Sequence, residues 1–185
     1  VLLHLGGNRV LTYLDRLPDI GLDAVKVTGQ GREYPADARL CACVIGRFCI
    51  HNFRISEAGI AGFERVDVRQ GYAKCCTCVV DAHSVITSDA GIARAAARHG
   101  LDVLRIRPGY VDLPGFDTGF IGGAAFKSAP DILAFTGRLD HHPDWPEIER
   151  FLRGRGVEPL FLTDMPAFDI GSAVPLTEAA GKSCP

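Results

Sequence analysis

The chain has 185 residues, 47% hydrophobic and 23% charged, a globular balance that excludes disorder and is enough for a buried core. A formal net charge of -2, with scattered lysines and arginines, provides no basic face, so no nucleic acid partner is expected. No apolar run approaches the ~20 residues of a membrane span, and "VLLHLGGNRVL" lacks the pattern of a secretion signal, so a cytoplasmic protein with no membrane partner is expected.

The chain repeats itself. Glycine, an apolar residue, an acidic residue and then alternating apolar positions occur as "GLDAVKV" from Gly21, "GFERVDV" from Gly62, "GLDVLRI" from Gly100 and "GVEPLFL" from Gly156. Glycine can take the left-handed conformation that ends a helix, and the alternation that follows is a half-buried strand. This divides the chain, read as a single domain over 1–185, into units of about 1–34, 35–70, 71–112 and 113–165, with a closing strand at 166–178.

In the first unit "RVLTYLDRLPDI" carries a weak helix signal that Pro18 ends early. The second unit has "CACVI" as a strand and a short helix capped by Ser56. The third has "CTCVV" as a strand, then the alanine-rich "TSDAGIARAAARH", a helix capped by Ser88 or Asp89. The fourth has the strand-like "GFIGGAAF" and a strand "ILAFTG". Its helix, "DWPEIERFLRGR", has Asp144 and Glu147 in capping-box spacing. The last segment, "FDIGSAVPLTE", is expected to be an extra strand that pairs with the beginning of the chain. Each unit is thus roughly ββαβ, too small to bury its own core, and must stack with its neighbours or close into a ring.

"CACVI" at Cys41–Ile45 and "CTCVV" at Cys76–Val80 are copies, as are "EAGIA" at Glu57–Ala61 and "DAGIA" at Asp89–Ala93. The C-x-C pattern therefore belongs to a structural unit, with Cys41 and Cys43, and Cys76 and Cys78, each sharing a strand face. Buried structural thiols in a reducing compartment are the simplest reading. A zinc-stabilised module built from the two pairs is a lower-ranked alternative, because structural zinc sites favour C-x2–4-C turns. No cofactor and no metal are expected.

Several polar residues are candidates for a cavity. On a strand, Cys75 would face away from Cys76 and Cys78, with Lys74 beside it to lower its pKa. "RLDHHPDW" offers Asp140, His141 and His142 as base or ligand, or as a solvated helix start. Gly122 and Gly123 allow close backbone approach by a ligand or a neighbouring unit. Asp169 in an apolar segment needs a partner. Ser172 could line the same cavity as Asp169, and Asn52 and Asp117 are weaker candidates of the same kind. No G-x-S-x-G elbow, H-E-x-x-H helix or phosphate loop is present.

Taken together, "RQGYAKC", "ITSDAGIA", "LPGFDTGFIGGAAF", "FTGRLDHHPDW" and "FDIGSAVPL" resemble an uncharacterised bacterial family whose fold is similar to the pentein αβ-propeller. The resemblance implies ββαβ blades around a pseudo-fivefold axis. It also implies a further N-terminal stretch, in line with Met165 being the sole methionine, so part of the first blade is expected to be missing. Penteins include arginine deiminases, dimethylargininases and a non-catalytic ribosome-associated factor. The resemblance therefore implies a polar cavity for a small molecule, with hydrolysis or amidino transfer at a guanidino, amidine or amide carbon as the reaction class. Cys75, His142 and Asp169 are the candidate catalytic residues. Asn52, Lys74, Asp117, Gly122, Gly123, Asp140 and Ser172 are the candidate binding residues. The pentein nucleophile lies on the closing segment, and "DIGSAVPLTE" holds no cysteine. A non-catalytic binding or assembly module is thus the rival reading, and a homodimer is a candidate assembly because an incomplete ring exposes strand edges.

Overall fold

Each of the four repeats becomes the third strand of a small sheet. In the computed structural model, which describes residues 2–57 and 60–175, β1 (Leu2–His4), β2 (Arg9–Thr12) and β3 (Asp23–Lys26) form the first sheet. The second holds β4 (Cys43–Ile45), β5 (Phe48–His51) and β6 (Glu64–Asp67). A one-turn helix α1 (Ala73–Cys76) leads into the third sheet, of β7 (Thr77–Val79), β8 (Ser84–Thr87) and β9 (Asp102–Arg105), with α2 (Ala90–Arg98) between β8 and β9. The fourth holds β10 (Ala125–Ala129), β11 (Ile132–Phe135) and β12 (Glu158–Phe161), with α3 (Trp145–Arg153) before β12. In every sheet the first two strands are an antiparallel hairpin and the third pairs parallel with the second.

The repeat glycines do what their position demands. φ is +74° at Gly21, +89° at Gly62, +81° at Gly100 and +65° at Gly156, a region that side chains disfavour. Two residues later each third strand begins on the acidic residue, whose backbone N–H donates to the carbonyl before the middle strand. The pairs are Asp23 with Asn8, Glu64 with Arg47, Asp102 with His83 and Glu158 with Asp131. The sheets thus repeat one another bond for bond.

Helices occupy only the two longer crossovers. Residues 88–101 and 136–157 have room for α2 and α3, whereas 13–22 and 52–63 join their parallel strands without a described helix. The helix expected before Gly21 does not form, its ten-residue crossover being shorter than the roughly dozen or more residues usual for such a connection, and the short helix expected after Ser56 lies partly outside the described residues. Asp89 caps α2 by accepting from the Ile92 N–H at 2.8 Å. Asp144 stands at the N-cap of α3, but its carboxylate accepts instead from the Arg107 N–H and guanidinium.

The core lies between sheets rather than within them. Leu3 and Leu11 of the first pack with Leu40 and Cys49 of the second unit; Cys43, Phe48 and Ile50 pack with Val85, Ile92 and Leu101; Cys78 and Ile86 pack with Leu133, Phe135 and Ile148. Among the described residues no such cluster joins the fourth sheet to the first, and no closed ring of sheets is seen. The molecule is a mixed α/β fold of four three-stranded sheets in series.

Three local expectations are corrected. Cys75 and Cys76 sit on α1, not on a strand, because the ladder with β8 begins only at Thr77. Gly122 and Gly123 lie in a turn ahead of β10. The closing segment forms no continuous strand through residue 175: it makes parallel bridges from Pro166 to Arg138 and from Phe168 to Asp112, not to the beginning of the chain. Residues 176–178 of that expected strand lie outside the described residues.

Candidate functional site

The first strands of all four sheets border one cavity of about 680 Å³. Leu2, Leu3 and His4 of β1, Val44 of β4, Val79 of β7 and Ala125, Phe126 and Lys127 of β10 line it. Cys41, Lys74 and Ile170–Pro175 also line it, with apolar and glycine positions of the first two units. Among the described residues two lysines and one histidine line it, and no Asp or Glu does. Neither lysine has an ion pair to a carboxylate: Lys74 donates to Ser172 Oγ at 2.7 Å, and Lys127 donates to the Pro130 carbonyl at 2.6 Å.

One wall is made where four distant segments meet. The turn at 119–123 is fixed to α1 by the Gly123 N–H donating to the Cys75 carbonyl at 2.9 Å, and to the closing segment by the Ile170 N–H donating to the Gly123 carbonyl at 3.1 Å. These approaches exclude side chains. A Cβ on Gly122 would lie 2.3 Å from the Thr77 carbonyl oxygen, and one on Gly123 would lie 1.9 Å from Asp169 Oδ1.

Asp169 is 8% exposed and fully used: Oδ2 accepts from the Phe120 N–H at 2.9 Å, and Oδ1 from the Gly171 N–H at 2.7 Å. It orders the turn and the closing segment. Ser172 then takes φ of +110°, a conformation rare for a residue with a side chain, with Lys74 donating to its hydroxyl and Gly122 O 3.3 Å away. Strain of this kind collects at binding sites, and here it faces the cavity.

The two thiols of this wall differ. Cys41 Sγ lies 3.5 Å from Cys75 Sγ, and Cys75 Sγ lies 3.2 Å from the Gly171 carbonyl. The Cys75 thiol, the nearby backbone N–H groups of Cys75 and Lys74, and the Lys74 ammonium outweigh burial and bring Cys41 down to about 7. Cys75 is pushed far above the thiol range by its bond to Cys41, by burial and by the Asp169 carboxylate. Burial raises Cys43 to about 11, and Cys49 and Cys78 to about 12.

Of the ten residues singled out from the sequence, Lys74, Cys75, Gly122, Gly123, Asp169 and Ser172 are brought together here. The other four are placed elsewhere. His142 is buried at the start of α3, where Nε2 bonds the Arg107 carbonyl at 3.0 Å, Nδ1 accepts from the Asp144 N–H at 2.9 Å, and the Tyr110 ring packs against it at a tilt. That set uses both ring nitrogens and contains no residue of the cavity. Asn52 closes a local turn, accepting from the Arg54 N–H and donating to the Arg69 carbonyl. Asp140 pairs with Arg138, and Asp117 is exposed in a loop.

Sequence reasoning missed Cys41 and Lys127. The repeat itself hid Cys41, since its counterpart Cys76 is buried at 1% exposure while Cys41 reaches the cavity. Among the described residues no group of three or more His, Cys, Asp or Glu side chains could hold a metal ion, so the two C-x-C pairs do not form a four-thiol centre there. No helix among them is long and apolar enough to cross a membrane.

Neither the curated proteins nor the solved structures contain a match to the chain. Residues 7–174, which run from β2 to the closing segment, match a family of unknown function (DUF6873), and the chain belongs to that family.

Proposed function

We propose that the protein binds a small anionic molecule, a carboxylate above all, in the cavity bordered by β1, β4, β7 and β10. The observation that carries this is the cavity wall itself: Lys74 and Lys127 line it, neither forms an ion pair with a described carboxylate, and no described Asp or Glu lines the ligand space. A guanidinium ligand would find no counter-charge there among the described residues. Burying an unpaired cation is costly, so a guanidino substrate has less support than an anion.

The arrangement of four like sheets, each giving its first strand to one cavity, supports a pentein-like architecture for the family. Support for a covalent hydrolase or amidinotransferase is weaker. Cys75 is a poor thiolate, His142 is occupied at α3, and both Asp169 oxygens are held by backbone N–H groups. The non-catalytic binding reading is therefore preferred.

Thermal unfolding of the whole chain with a panel of mono-, di- and tricarboxylates, set against arginine and other guanidino compounds, tests the proposal. A ligand that binds only the folded state raises the midpoint as its concentration passes Kd. A carboxylate that stabilises the wild type but not Lys74→Met or Lys127→Met supports it. Stabilisation by guanidino compounds alone would overturn it.

A further inference from the structure

We propose that Cys41 and Cys75 form a peroxide-responsive thiol pair in the cavity wall, closing reversibly to a disulfide. This goes beyond ligand binding and does not depend on it. The geometry that carries it is the meeting of two sulfurs from separate segments at 3.5 Å. Their backbones are already tied together, because the Lys74 N–H donates to the Cys41 carbonyl at 3.0 Å. A disulfide needs the sulfurs at about 2.05 Å, so the approach required is about 1.5 Å, within reach of side-chain rotation and a small movement of α1.

The two positions are suited to different roles. Cys41 opens on the cavity, where a small oxidant can enter, and Cys75 lies behind it at 8% exposure. The backbone N–H groups and the Lys74 ammonium around Cys41 favour its thiolate, the reactive form. The remaining described cysteines, Cys43, Cys49, Cys76 and Cys78, are each at most 1% exposed and lie in the packed core between sheets.

The chemistry balances with hydrogen peroxide as oxidant. The Cys41 thiolate attacks one peroxide oxygen, the O–O bond breaks, and the leaving hydroxide takes a proton to become water, leaving Cys41 as a sulfenic acid. Cys41 is then uncharged and no longer holds the Cys75 proton. The Cys75 sulfur attacks Cys41, the S–O bond breaks, and the departing hydroxide carries off the Cys75 proton as a second water. Overall two thiols are oxidised by two electrons and one peroxide is reduced to two waters; a low-molecular-weight thiol reverses the step.

Closure has a structural consequence. In the reduced protein the Cys75 sulfur contacts the Gly171 carbonyl, next to the strained Ser172 that meets Lys74. Drawing Cys75 toward Cys41 breaks that contact and loosens the closing segment where it borders the cavity. Oxidation is thereby coupled to the shape of the ligand space.

The test is peptide mapping of the full chain carrying Cys184→Ser, treated with hydrogen peroxide and digested without reduction. The tryptic peptides spanning 40–47 and 75–94 hold five of the cysteines, so fragmentation must assign the bridge. The expected result is a Cys41–Cys75 bridge, a loss of two hydrogens from the intact mass, and recovery on adding dithiothreitol. In Cys75→Ser the sulfenic acid on Cys41 should persist and be trapped by dimedone, while in Cys41→Ser the oxidation of Cys75 should fall at least tenfold. A bridge that involves Cys43, Cys76 or Cys78 instead, or direct oxidation of Cys41 to sulfinic acid in the wild type, would overturn the proposal. Because these readouts are covalent, they stand or fall whether or not a carboxylate binds.

Discussion

A Cβ built on Gly123 would lie 1.9 Å from Oδ1 of Asp169, so the glycine and the carboxylate can coexist only because position 123 has no side chain. Gly122 is confined equally, against the carbonyls of Thr77 and Lys74. At Gly122 the atoms in the way are backbone, and at Gly123 they are the Asp169 carboxylate, which would have to leave the Phe120 and Gly171 N–H groups it holds. Gly122→Ala and Gly123→Ala should each lower stability by about 1–3 kcal/mol, the usual scale of overpacking. Urea unfolding checks this.

Asp169 is a structural carboxylate on this account. Asp169→Ala leaves the Phe120 and Gly171 N–H groups without their acceptor and should cost about 2–6 kcal/mol, from about 1–3 kcal/mol for each buried orphan. Asp169→Asn keeps one acceptor oxygen and should lose less. A nucleophile-positioning or base role would instead leave both variants stable, which circular dichroism melts distinguish.

His51 makes stability depend on pH. It is fully buried, with neither ring nitrogen at full hydrogen-bond geometry, and burial holds its pKa below the ordinary value despite a nearby backbone group of Arg39. His142 is held low in the same way by burial. A base whose folded pKa is depressed takes up its proton more readily when unfolded. Stability should thus be full above pH about 6.5 and fall as pH drops below it toward the folded pKa. His51→Leu should flatten part of this slope while staying within about 1 kcal/mol of wild type at pH 7.5, because it replaces an unsatisfied polar ring with an apolar side chain of similar volume. Denaturant midpoints at pH 7.5 and 5.5 provide the comparison.

Thiol reactivity should separate Cys41 from its repeat counterparts. With its pKa lowered to about 7, Cys41 should alkylate at a rate that is half-maximal near pH 7 and lost as pH falls further. Cys43, Cys49 and Cys78, raised to about 11, 12 and 12 by burial, should stay unlabelled in the folded protein. Cys75→Ala removes the leading cause of the Cys41 shift and should move the profile to higher pH. Iodoacetamide labelling read by mass spectrometry gives all of these rates in one series.

The sheet repeat was legible because two hard constraints coincide in it: a left-handed residue, which favours glycine, and a strand period of two. Gly21, Gly62, Gly100 and Gly156 show both. Asp169 was legible for a similar reason, since a carboxylate in an apolar run must find partners. What the sequence did not disclose depends on distance along the chain. The lowered pKa of Cys41 comes from Lys74 and Cys75, more than thirty positions away, while its local pattern copies a buried cysteine. "DHHPD" looked catalytic by density alone, yet Arg107 crosses to Asp144 and takes up the cluster at the head of α3.

The central claim is that the cavity bordered by the four inner strands is the ligand site. Hydrogen exchange of the whole chain, with and without the carboxylate that gives the largest thermal shift, tests it most directly. The account predicts slowed exchange in Leu2–His4, Cys43–Ile45, Thr77–Val79, Ala125–Ala129 and the segment around Ser172, with the outer strands β3, β6, β9 and β12 unchanged. Protection confined to the outer strands, or to the loop around Asp140 and His142, would contradict it.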